Sequence, residues 1–351
     1  MHPNNDKHIL VLGAQVPFVR GGAELLNEGL VDFINQNING VSAEHVNLPF
    51  KWYPETQIIN DILAWRFLDI TEADGKEVDL VVATKFPSYA ASHPNKVLWL
   101  VHQHRCFYDL EGTAFDYHRD DLVRNRVRDI DTRLIQESRS IYTISNTVSD
   151  RLKKYSGIEA SPLFPPSRYA ARISPGSYED YVLFIGRLEK IKRPDLLVRA
   201  IARTRSSLNA VFVGSDRMQG GLASLVAECG VDNKCRILGR VTDEELLKQL
   251  ANARAVFYAP YDEDYGYAAV EAFQAEKPVL TCKDSGEVAK LVEQTGAGWV
   301  VESDPAAIAE KLDELATLTA SQLHELAVGG AHFASSVTWD TVFKRLIEPH
   351  L

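Results

Sequence analysis

Short apolar runs alternate along the chain with longer stretches whose apolar residues recur every three or four positions. In the first half, the apolar runs span residues 8–12, 80–84, 97–101 and 141–144. In the second half, they span residues 181–185, 210–213, 255–258, 278–281 and 299–301. Runs that are apolar on both faces are typical of parallel strands that helices cover on each side. The pattern therefore predicts an α/β fold with parallel sheets, whose ligands bind at the carboxyl ends of the strands.

This alternation is interrupted once, at residues 161–180. The interruption contains Pro162, Pro165, Pro166, Pro175 and Gly176, and a new strand is predicted to begin directly after it. Such a stretch is typical of a linker between domains. We therefore expect an N-terminal domain over residues 1–165 and a C-terminal domain over residues 177–335.

A final helix is predicted within residues 338–351. Thr338 is a suitable N-cap, and the apolar residues that follow it are Trp339, Val342, Phe343, Leu346 and Ile347. Their spacing gives the helix one apolar face, so we expect it to cover another surface of the protein.

Composition and charge narrow the class of protein. The 351 residues are 45% hydrophobic and 25% charged, as in folded domains. The four cysteines lack the spacing of metal ligands, and neither a signal-peptide pattern nor a membrane-length apolar run is visible. We therefore expect a cytoplasmic protein. The net charge of -10 opposes broad nucleic-acid binding, which needs a concentrated basic surface.

The segment YDEDYGYAAVEA directly follows the apolar run at 255–258. It places Glu263 in a loop and Glu271 about one turn into a helix. The amides of residues 265–268 at the start of that helix, with Gly266 allowing close approach, are suited to an anion or to sugar hydroxyls. The two carboxylates can accept strong hydrogen bonds from sugar and ribose hydroxyls. The alternative interpretation is that Glu271 is only a favourable charge near a helix start.

A second segment, VLFIGRLEKIKRPDLL, carries cations at a strand end. Arg187 follows the strand, and Lys192 comes five residues later, just before a helix that opens with Pro194. Two cations at the mouth of a sheet suit a diphosphate, whose charge they would stabilise as it leaves. Alternatively this is a solvated basic loop, because Lys190 and Arg193 share it.

Two further candidates lie in the first half. Gly21 and Gly22 precede a helix and would admit a phosphate or sugar, although the dinucleotide fingerprint G-x-G-x-x-G is absent and a plain turn would need the same residues. His102, Gln103, His104 and Arg105 follow the strand at 97–101. His102 could contact the reacting sugar or orient the acceptor, and Arg105 could bind an anion. The His-x-His spacing suits zinc poorly, because a third ligand is lacking nearby.

Taken in order, these segments resemble the retaining glycosyltransferases of the large family usually numbered four, also called glycosyl transferases group 1. The order is GGAE after the first strand, the His-bearing strand end, ISNTVSDRL, GRL with the following lysine, LGRVTDEELLKQLANARAVFYAP, the segment with two glutamates, and EKPVLTCKDSGEVAKLV. The resemblance covers nearly the whole chain. It implies the GT-B architecture, with two Rossmann-like domains whose parallel sheets face each other across a cleft and a C-terminal helix that returns to the first domain.

The resemblance also implies roles for individual residues. Arg187 and Lys192 would hold the donor diphosphate, Glu271 the ribose hydroxyls, and Glu263 the transferred hexose. Backbone at Tyr265, Gly266 and Tyr267 would meet the sugar and phosphate, and backbone at Arg240 and Val241 would face the base. From the first domain, Gly21, Gly22 and His102 would contribute. The family often has Phe and Leu where this chain has Tyr265 and Tyr267, and its usual double glycine appears here as Ser285-Gly286-Glu287.

The implied reaction is transfer of a hexose from a UDP- or GDP-sugar to a glycan or lipid-linked acceptor, as in polysaccharide biosynthesis. No carboxylate nucleophile is evident, which favours front-face displacement without a metal or other cofactor, since Arg187 and Lys192 would do the work of a divalent ion. Alternatives are a GT-B nucleotide-sugar epimerase, a nonenzymatic nucleotide-sugar binding protein, and a modifier of DNA bases.

An arginine-rich stretch in the first domain bears on the acceptor. Residues 118–139 contain six arginines with apolar residues between them, which could touch an anionic membrane surface. Four aspartates dilute this charge, so we favour a solvated helix face. Peripheral contact with the inner membrane face stays open, as does the choice between uracil and guanine in the donor.

Overall fold

The computed structural model describes residues 6–216, 218 and 220–351. The chain forms two compact units. The first comprises residues 6–168 together with Thr338–Leu351, and the second comprises Tyr169–Val337. The division between them falls inside the proline-rich stretch, near Arg168.

The first unit is built on a parallel sheet. Its strands are β1 (Lys7–Gln15), β2 (Val41–Pro49), β5 (Leu80–Ala83), β6 (Lys96–Leu100), β7 (Ser140–Thr143) and β8 (Ser161–Pro162), in the order β2-β1-β5-β6-β7-β8. Two short strands, β3 (Glu72–Ala73) and β4 (Lys76–Glu77), form a separate antiparallel pair. Helices connect the strands, namely α1 (Gly22–Asn37), α2 (Gln57–Phe67), α3 (Asp121–Gln136) and α4 (Asn146–Ser156).

The second unit repeats this arrangement. Its strands are β9 (Tyr181–Ile185), β10 (Asn209–Val213), β11 (Cys235–Gly239), β12 (Ala255–Phe257), β13 (Val279–Cys282) and β14 (Gly298–Val301), in the order β11-β10-β9-β12-β13-β14. The helices are α5 (Pro194–Ile201), α6 (Gly221–Glu228), α7 (Asp243–Asn252), α8 (Tyr267–Gln274), α9 (Glu287–Thr295), α10 (Pro305–Thr317) and α11 (Ala320–Ser336).

Burial of the central strands explains their continuous apolar sequences. Every residue of β5, β6 and β13 is buried, because helices cover both faces of each sheet. In the second unit, Phe184 of β9 and Phe212 of β10 are fully buried, and their ring centroids lie 5.8 Å apart. The predicted α/β class is confirmed, and each predicted strand is present within one residue of its expected bounds except β1, which extends three residues beyond its predicted end.

The chain returns to the first unit at its C-terminus. Thr338 caps α12 (Trp339–Val342) by accepting a hydrogen bond from the amide of Thr341, and the helix continues as a π-turn over Phe343–Ile347. The Trp339 ring stacks on Phe33 of α1 at 6.4 Å and meets Trp99 of β6 edge-on at 6.3 Å. The apolar face of the predicted final helix therefore covers the sheet of the first unit. Among the described residues, no helix has both the length and the apolar character that crossing a bilayer requires.

Candidate functional site

The carboxyl ends of β9 and β12 bring together two of the predicted motifs. These strands are parallel neighbours, so the loops that follow them begin at the same edge of the sheet. Arg187 lies just beyond β9, Lys192 ends a 3-10 turn after it, and Glu263 lies in the loop after β12. The Lys192 Nζ is 2.5 Å from Glu263 Oε2 and 3.3 Å from the hydroxyl of Tyr258.

The pair between Lys192 and Glu263 is shielded from solvent. Their side chains are 13% and 18% exposed. Burial lowers the pKa of the Lys192 ammonium, but the charge of Glu263 outweighs burial and holds that pKa above its ordinary value. Burial, then Glu263, raises the pKa of the Tyr258 hydroxyl. The site therefore contains an ammonium ion, a carboxylate and a neutral phenol in contact.

Arg187 belongs to the same electrostatic environment. Its positive charge lowers the pKa of both Lys192 and Tyr258. This effect is weaker than those of burial and of Glu263. The Arg187 side chain is 40% exposed, and its Nη2 lies 3.1 Å from Glu189 Oε1. Arg187 is thus the more accessible of the two predicted cations and keeps part of its surface for a ligand.

Helix α8 begins beside this pair. Its N-cap, Gly266, has a positive φ of 91°, and an added Cβ there would lie only 2.4 Å from Cγ2 of Val288 and 3.1 Å from the Tyr258 ring. Glycine is required at this turn for both reasons. Glu271 lies in the second turn of α8 and is 8% exposed. The helix directs its first amides and positive dipole end to the loop that carries Glu263, an arrangement that favours anions.

The two tyrosines of the motif pack against each other. The rings of Tyr265 and Tyr267 meet edge-on with centroids 5.0 Å apart, and Tyr265 is 2% exposed. Burial raises the pKa of both hydroxyls, and the Glu271 carboxylate adds to that effect. The hydroxyl of Tyr267 is buried and has no hydrogen-bond partner among the described residues. The sequence predicted only backbone roles here; the structure shows in addition that the two phenol rings contact each other.

Arg240 and Val241 lie at the same edge of the sheet but further along it. They follow β11, which β10 separates from β9. The amide of Gly214 after β10 donates to the carbonyl of Gly239 at 2.9 Å, which joins these two strand ends. The structure thus gathers Arg187, Lys192, Glu263 and the start of α8 at one place, and puts Arg240 and Val241 two strands away.

In the first unit, Gly21 and Gly22 mark the start of α1. The Gly21 amide donates to Glu24 Oε2 at 2.8 Å, and Glu24 Oε1 lies 2.8 Å from Nζ of Lys85, which follows β5. Burial raises the pKa of Glu24, but Lys85 outweighs burial and the net pKa is lowered. This ion pair joins the strand ends of β1 and β5. Glu24 belongs to the GGAE segment singled out in the sequence, but its partner Lys85 could not be predicted because it is remote in sequence.

His102 follows β6, two strands from β1. Its Nδ1 lies 2.7 Å from the carbonyl oxygen of Gln103. A carbonyl oxygen only accepts, so Nδ1 carries a proton. The Gln103 side chain in turn donates to Asp131 Oδ2 at 2.7 Å, and the hydroxyl of Tyr108 donates to the same oxygen at 2.7 Å. The loop that carries His102 is therefore anchored on a buried carboxylate.

Asp131 belongs to the arginine-rich stretch, for which we favoured a solvated helix face. The structure has that face, since Arg126, Asp129 and Arg133 of α3 are exposed, but the opposite face is buried: Asp131 is fully buried and Arg124 is 7% exposed. Arg124 pairs with Glu111 at 2.7 Å and Asp116 at 3.2 Å. One face of α3 thus builds the core of the first unit, because its charges find partners in the loop before it.

His104 points into the protein rather than toward the strand end. Its Nε2 lies 2.6 Å from Nε2 of His118, and both rings are buried. Burial lowers the pKa of His104 well below its ordinary value, and His118 adds to that effect. Among the described residues, no group of three His, Cys, Asp or Glu side chains has a geometry that could hold a metal ion.

Known proteins resemble this chain at two levels. Residues 171–327 match the family model of the glycosyl transferases group 1. Over 189 residues, the chain is 32% identical to the D-inositol 3-phosphate glycosyltransferase of Streptomyces scabiei. That match covers 50% of this chain and 42% of the relative, so the chain spans less than half the length of this relative.

Solved structures match nearly the whole chain. The sucrose-phosphate synthase of Thermosynechococcus elongatus superimposes with a TM-score of 0.78 at 15% identity, covering 96% of each chain. The Anabaena protein HepE in complex with UDP and glucose superimposes with a TM-score of 0.71 at 17% identity, covering 98% of this chain and 99% of that one. At such identities the match shows the fold, and the predicted GT-B class is confirmed.

Proposed function

We propose that this protein transfers a hexose from a UDP- or GDP-sugar to a glycan or lipid-linked acceptor, with retention of configuration. The proposal starts from the match of residues 171–327 to the family model of the glycosyl transferases group 1. The observation that carries the proposal is the grouping of Arg187, the pair between Lys192 and Glu263, and the start of α8 at one edge of the sheet. Cations, a carboxylate and helix amides are the groups that a sugar diphosphate needs.

Each group has a role that follows from its charge and position. Arg187 and Lys192 hold the diphosphate, since a forked guanidinium and a point charge together neutralise phosphate oxygens. Glu263 accepts hydrogen bonds from hexose hydroxyls, and Glu271 accepts them from the ribose. Backbone at Tyr265, Gly266 and Tyr267 contacts the sugar and the phosphate, because the glycine lets a ligand approach the chain.

The proposed reaction is a displacement on one face of the sugar. The bond from the anomeric carbon to the β-phosphate oxygen breaks, and a bond to the acceptor oxygen forms on the same face. The leaving phosphate takes the acceptor proton, so that a carboxylate nucleophile is not needed. Arg187 and Lys192 stabilise the negative charge that develops on the nucleoside diphosphate, which is the work that a divalent ion does elsewhere. We therefore expect activity that survives chelation.

The remaining predicted residues complete the proposal. Backbone at Arg240 and Val241 faces the base. These residues lie at the same edge of the sheet as Arg187, two strands away. In the first unit, His102 contacts the reacting sugar, and the glycines at positions 21 and 22 leave room for donor or acceptor. The first unit would bind the acceptor, with peripheral membrane contact if the acceptor is lipid-linked.

The names of similar proteins indicate which donors to test first. HepE was solved with UDP and glucose, and the relative from Streptomyces scabiei is called a D-inositol 3-phosphate glycosyltransferase. UDP-sugars are therefore the first candidates, and phosphorylated polyols, glycans and lipid-linked saccharides form a reasonable first panel of acceptors.

Product analysis tests the proposal. Purified protein is incubated with UDP- or GDP-hexoses and an acceptor panel in the presence of EDTA, and products are identified by mass and by the coupling constant of the anomeric proton. We expect a glycoside with the donor's anomeric configuration and release of one nucleoside diphosphate. An epimerised sugar formed without acceptor, or inverted product, would contradict the proposal, and a trapped glycosyl-enzyme on Glu263 would contradict the front-face step.

A further inference from the structure

Arg193 adopts a backbone conformation that arginine rarely takes. It lies between Lys192 and the first residue of α5, and its φ and ψ are 54° and 46°. This left-handed conformation is costly for a residue with a Cβ and persists only where surrounding contacts hold it. One of the two interpretations of the sequence was a solvated basic loop at this position, but the Arg193 side chain is 14% exposed.

The contacts that hold Arg193 involve the ends of two strands. Its Nη1 and Nη2 each lie 2.7 Å from one oxygen of Asp284, which follows β13. Its Nε donates to the carbonyl of Ala259 at 2.7 Å, and Nη2 donates also to the carbonyl of Pro260 at 3.1 Å, both just beyond β12. One guanidinium therefore joins the turn after β9 to the loops after β12 and β13.

The same two loops hold Glu263. The amide of Asp262 donates to the carbonyl of Asp284 at 2.8 Å, and the amide of Glu287 donates to the carbonyl of Glu263 at 3.0 Å. A Cβ at Gly286 would lie 2.4 Å from the carbonyl oxygen of Glu263, so the loop after β13 is packed directly on the backbone of this glutamate. Movement of that loop would therefore move Glu263.

On the far side, Asp284 is itself fixed. The hydroxyl of Ser303 after β14 donates to Asp284 Oδ1 at 2.5 Å. Burial raises the pKa of Asp284, but Arg193 and Ser303 outweigh burial and hold it below its ordinary value, so the partner of Arg193 is a carboxylate near neutral pH. The contacts therefore run from Lys192 through Arg193 and Asp284 to the loop that supports Glu263.

We infer that Arg193 is a positioning residue. Asp284 and the carbonyls after β12 hold it in a left-handed conformation, which orients the preceding Lys192. Through the loop after β13, the same contacts keep Glu263 against Lys192. This inference rests on the proposed function for its consequence in donor binding. It gives a role to the Ser285-Gly286-Glu287 segment, where the chain departs from the double glycine of the family it resembles. Arg193 does not contact the donor in this account.

A matched control distinguishes positioning from stability. Arg254 lies at the opposite, amino end of β12 and is 11% exposed. It too pairs with an aspartate, at 3.1 Å from Asp180, and donates to the carbonyls of Leu315, Ala316 and Leu318. Arg193→Lys and Arg254→Lys each remove the contacts of a forked guanidinium. Arg193 lies beside the proposed site, and Arg254 lies far from it.

The experiment compares wild type, Arg193→Lys, Asp284→Asn and Arg254→Lys in two measurements. Hydrogen exchange is followed on peptides that contain the amides of Asp262 and Glu287, and the affinity for UDP, GDP and UDP-glucose is measured by calorimetry. We expect exchange at these amides to accelerate at least about tenfold in Arg193→Lys and Asp284→Asn, and the affinity for the nucleotide that binds to fall about tenfold, with neither change in Arg254→Lys.

The two measurements test different claims, so each can give a contradicting result without the other. Unchanged exchange in Arg193→Lys, or equal acceleration in Arg254→Lys, would overturn the inference whichever nucleotide binds. Faster exchange in the two site variants with undiminished affinity would overturn the claim that positioning matters for the donor. Wild-type protein that binds none of these nucleotides would instead contradict the proposed function, while the exchange data would still decide whether Arg193 supports Glu263.

Discussion

At the scale of single residues, the main feature is the contact between Lys192 and Glu263. The sequence allowed both to be predicted as site residues, because each follows a strand in a motif of recognisable order. It could not show that they bind each other, since 71 positions separate them and only the pairing of β9 with β12 brings their loops together. A donor that contacts both residues must therefore enter an existing ion pair.

The strength of this pair can be measured with Lys192→Met, Glu263→Gln and the double variant. Each single change leaves a partly buried charge without its partner, so we expect each to lower the free energy of unfolding by about 2 kcal/mol, and the double variant to lose less than the sum by about 1 kcal/mol or more. Urea unfolding, read on the transition of the second unit, gives the three values. Additive losses would show that the two side chains do not interact in solution.

At the scale of strands and helices, the pattern of apolar residues predicted the buried central strands and missed the edge strand β2. Residues of β2 alternate between buried or half-buried and exposed positions, with polar residues such as Glu44 and Asn47 among them. An edge strand has one neighbour and keeps polar residues, so a search for continuous apolar runs passes over it. The buried face of α3 was missed for a related reason: its core-facing Asp131 and Arg124 are charged, and only their tertiary partners make burial possible.

The packing of α12 on α1 leads to a testable prediction. A Cβ at Gly29 would lie 2.5 Å from Cζ2 of Trp339, so Gly29→Ala forces the tryptophan ring to move. We expect Gly29→Ala to lower the free energy of unfolding by about 1 to 3 kcal/mol because it overpacks this contact. In a chain that also carries Trp339→Leu, whose side chain is smaller, we expect Gly29→Ala to cost less. Thermal unfolding of Gly29→Ala, Trp339→Leu and the double variant measures this. If Gly29→Ala costs the same in both backgrounds, the helix does not pack as described.

At the scale of the whole molecule, the chain combines two units of the same α/β design, and Thr338–Leu351 belongs to the first although it follows the second. The proline-rich stretch made the division predictable, because it interrupts the strand and helix pattern. The grouping of Arg187, Lys192 and Glu263 could be predicted because these residues follow strands in one unit. The proposed acceptor could not be identified, because loop side chains are arranged in ways that no short motif specifies.

The most direct measurement is calorimetric binding of UDP, GDP and ADP to wild type, Arg187→Ala and Glu271→Gln, with Arg203→Ala as a control that removes an exposed arginine after α5. We expect one diphosphate to bind to wild type and to the control with equal affinity, and at least about tenfold more weakly to the two site variants, because each loses a charged contact to the ligand. Wild type that binds none of these nucleotides at millimolar concentration, or site variants that bind as well as wild type, would contradict the assignment of the donor site to the second unit.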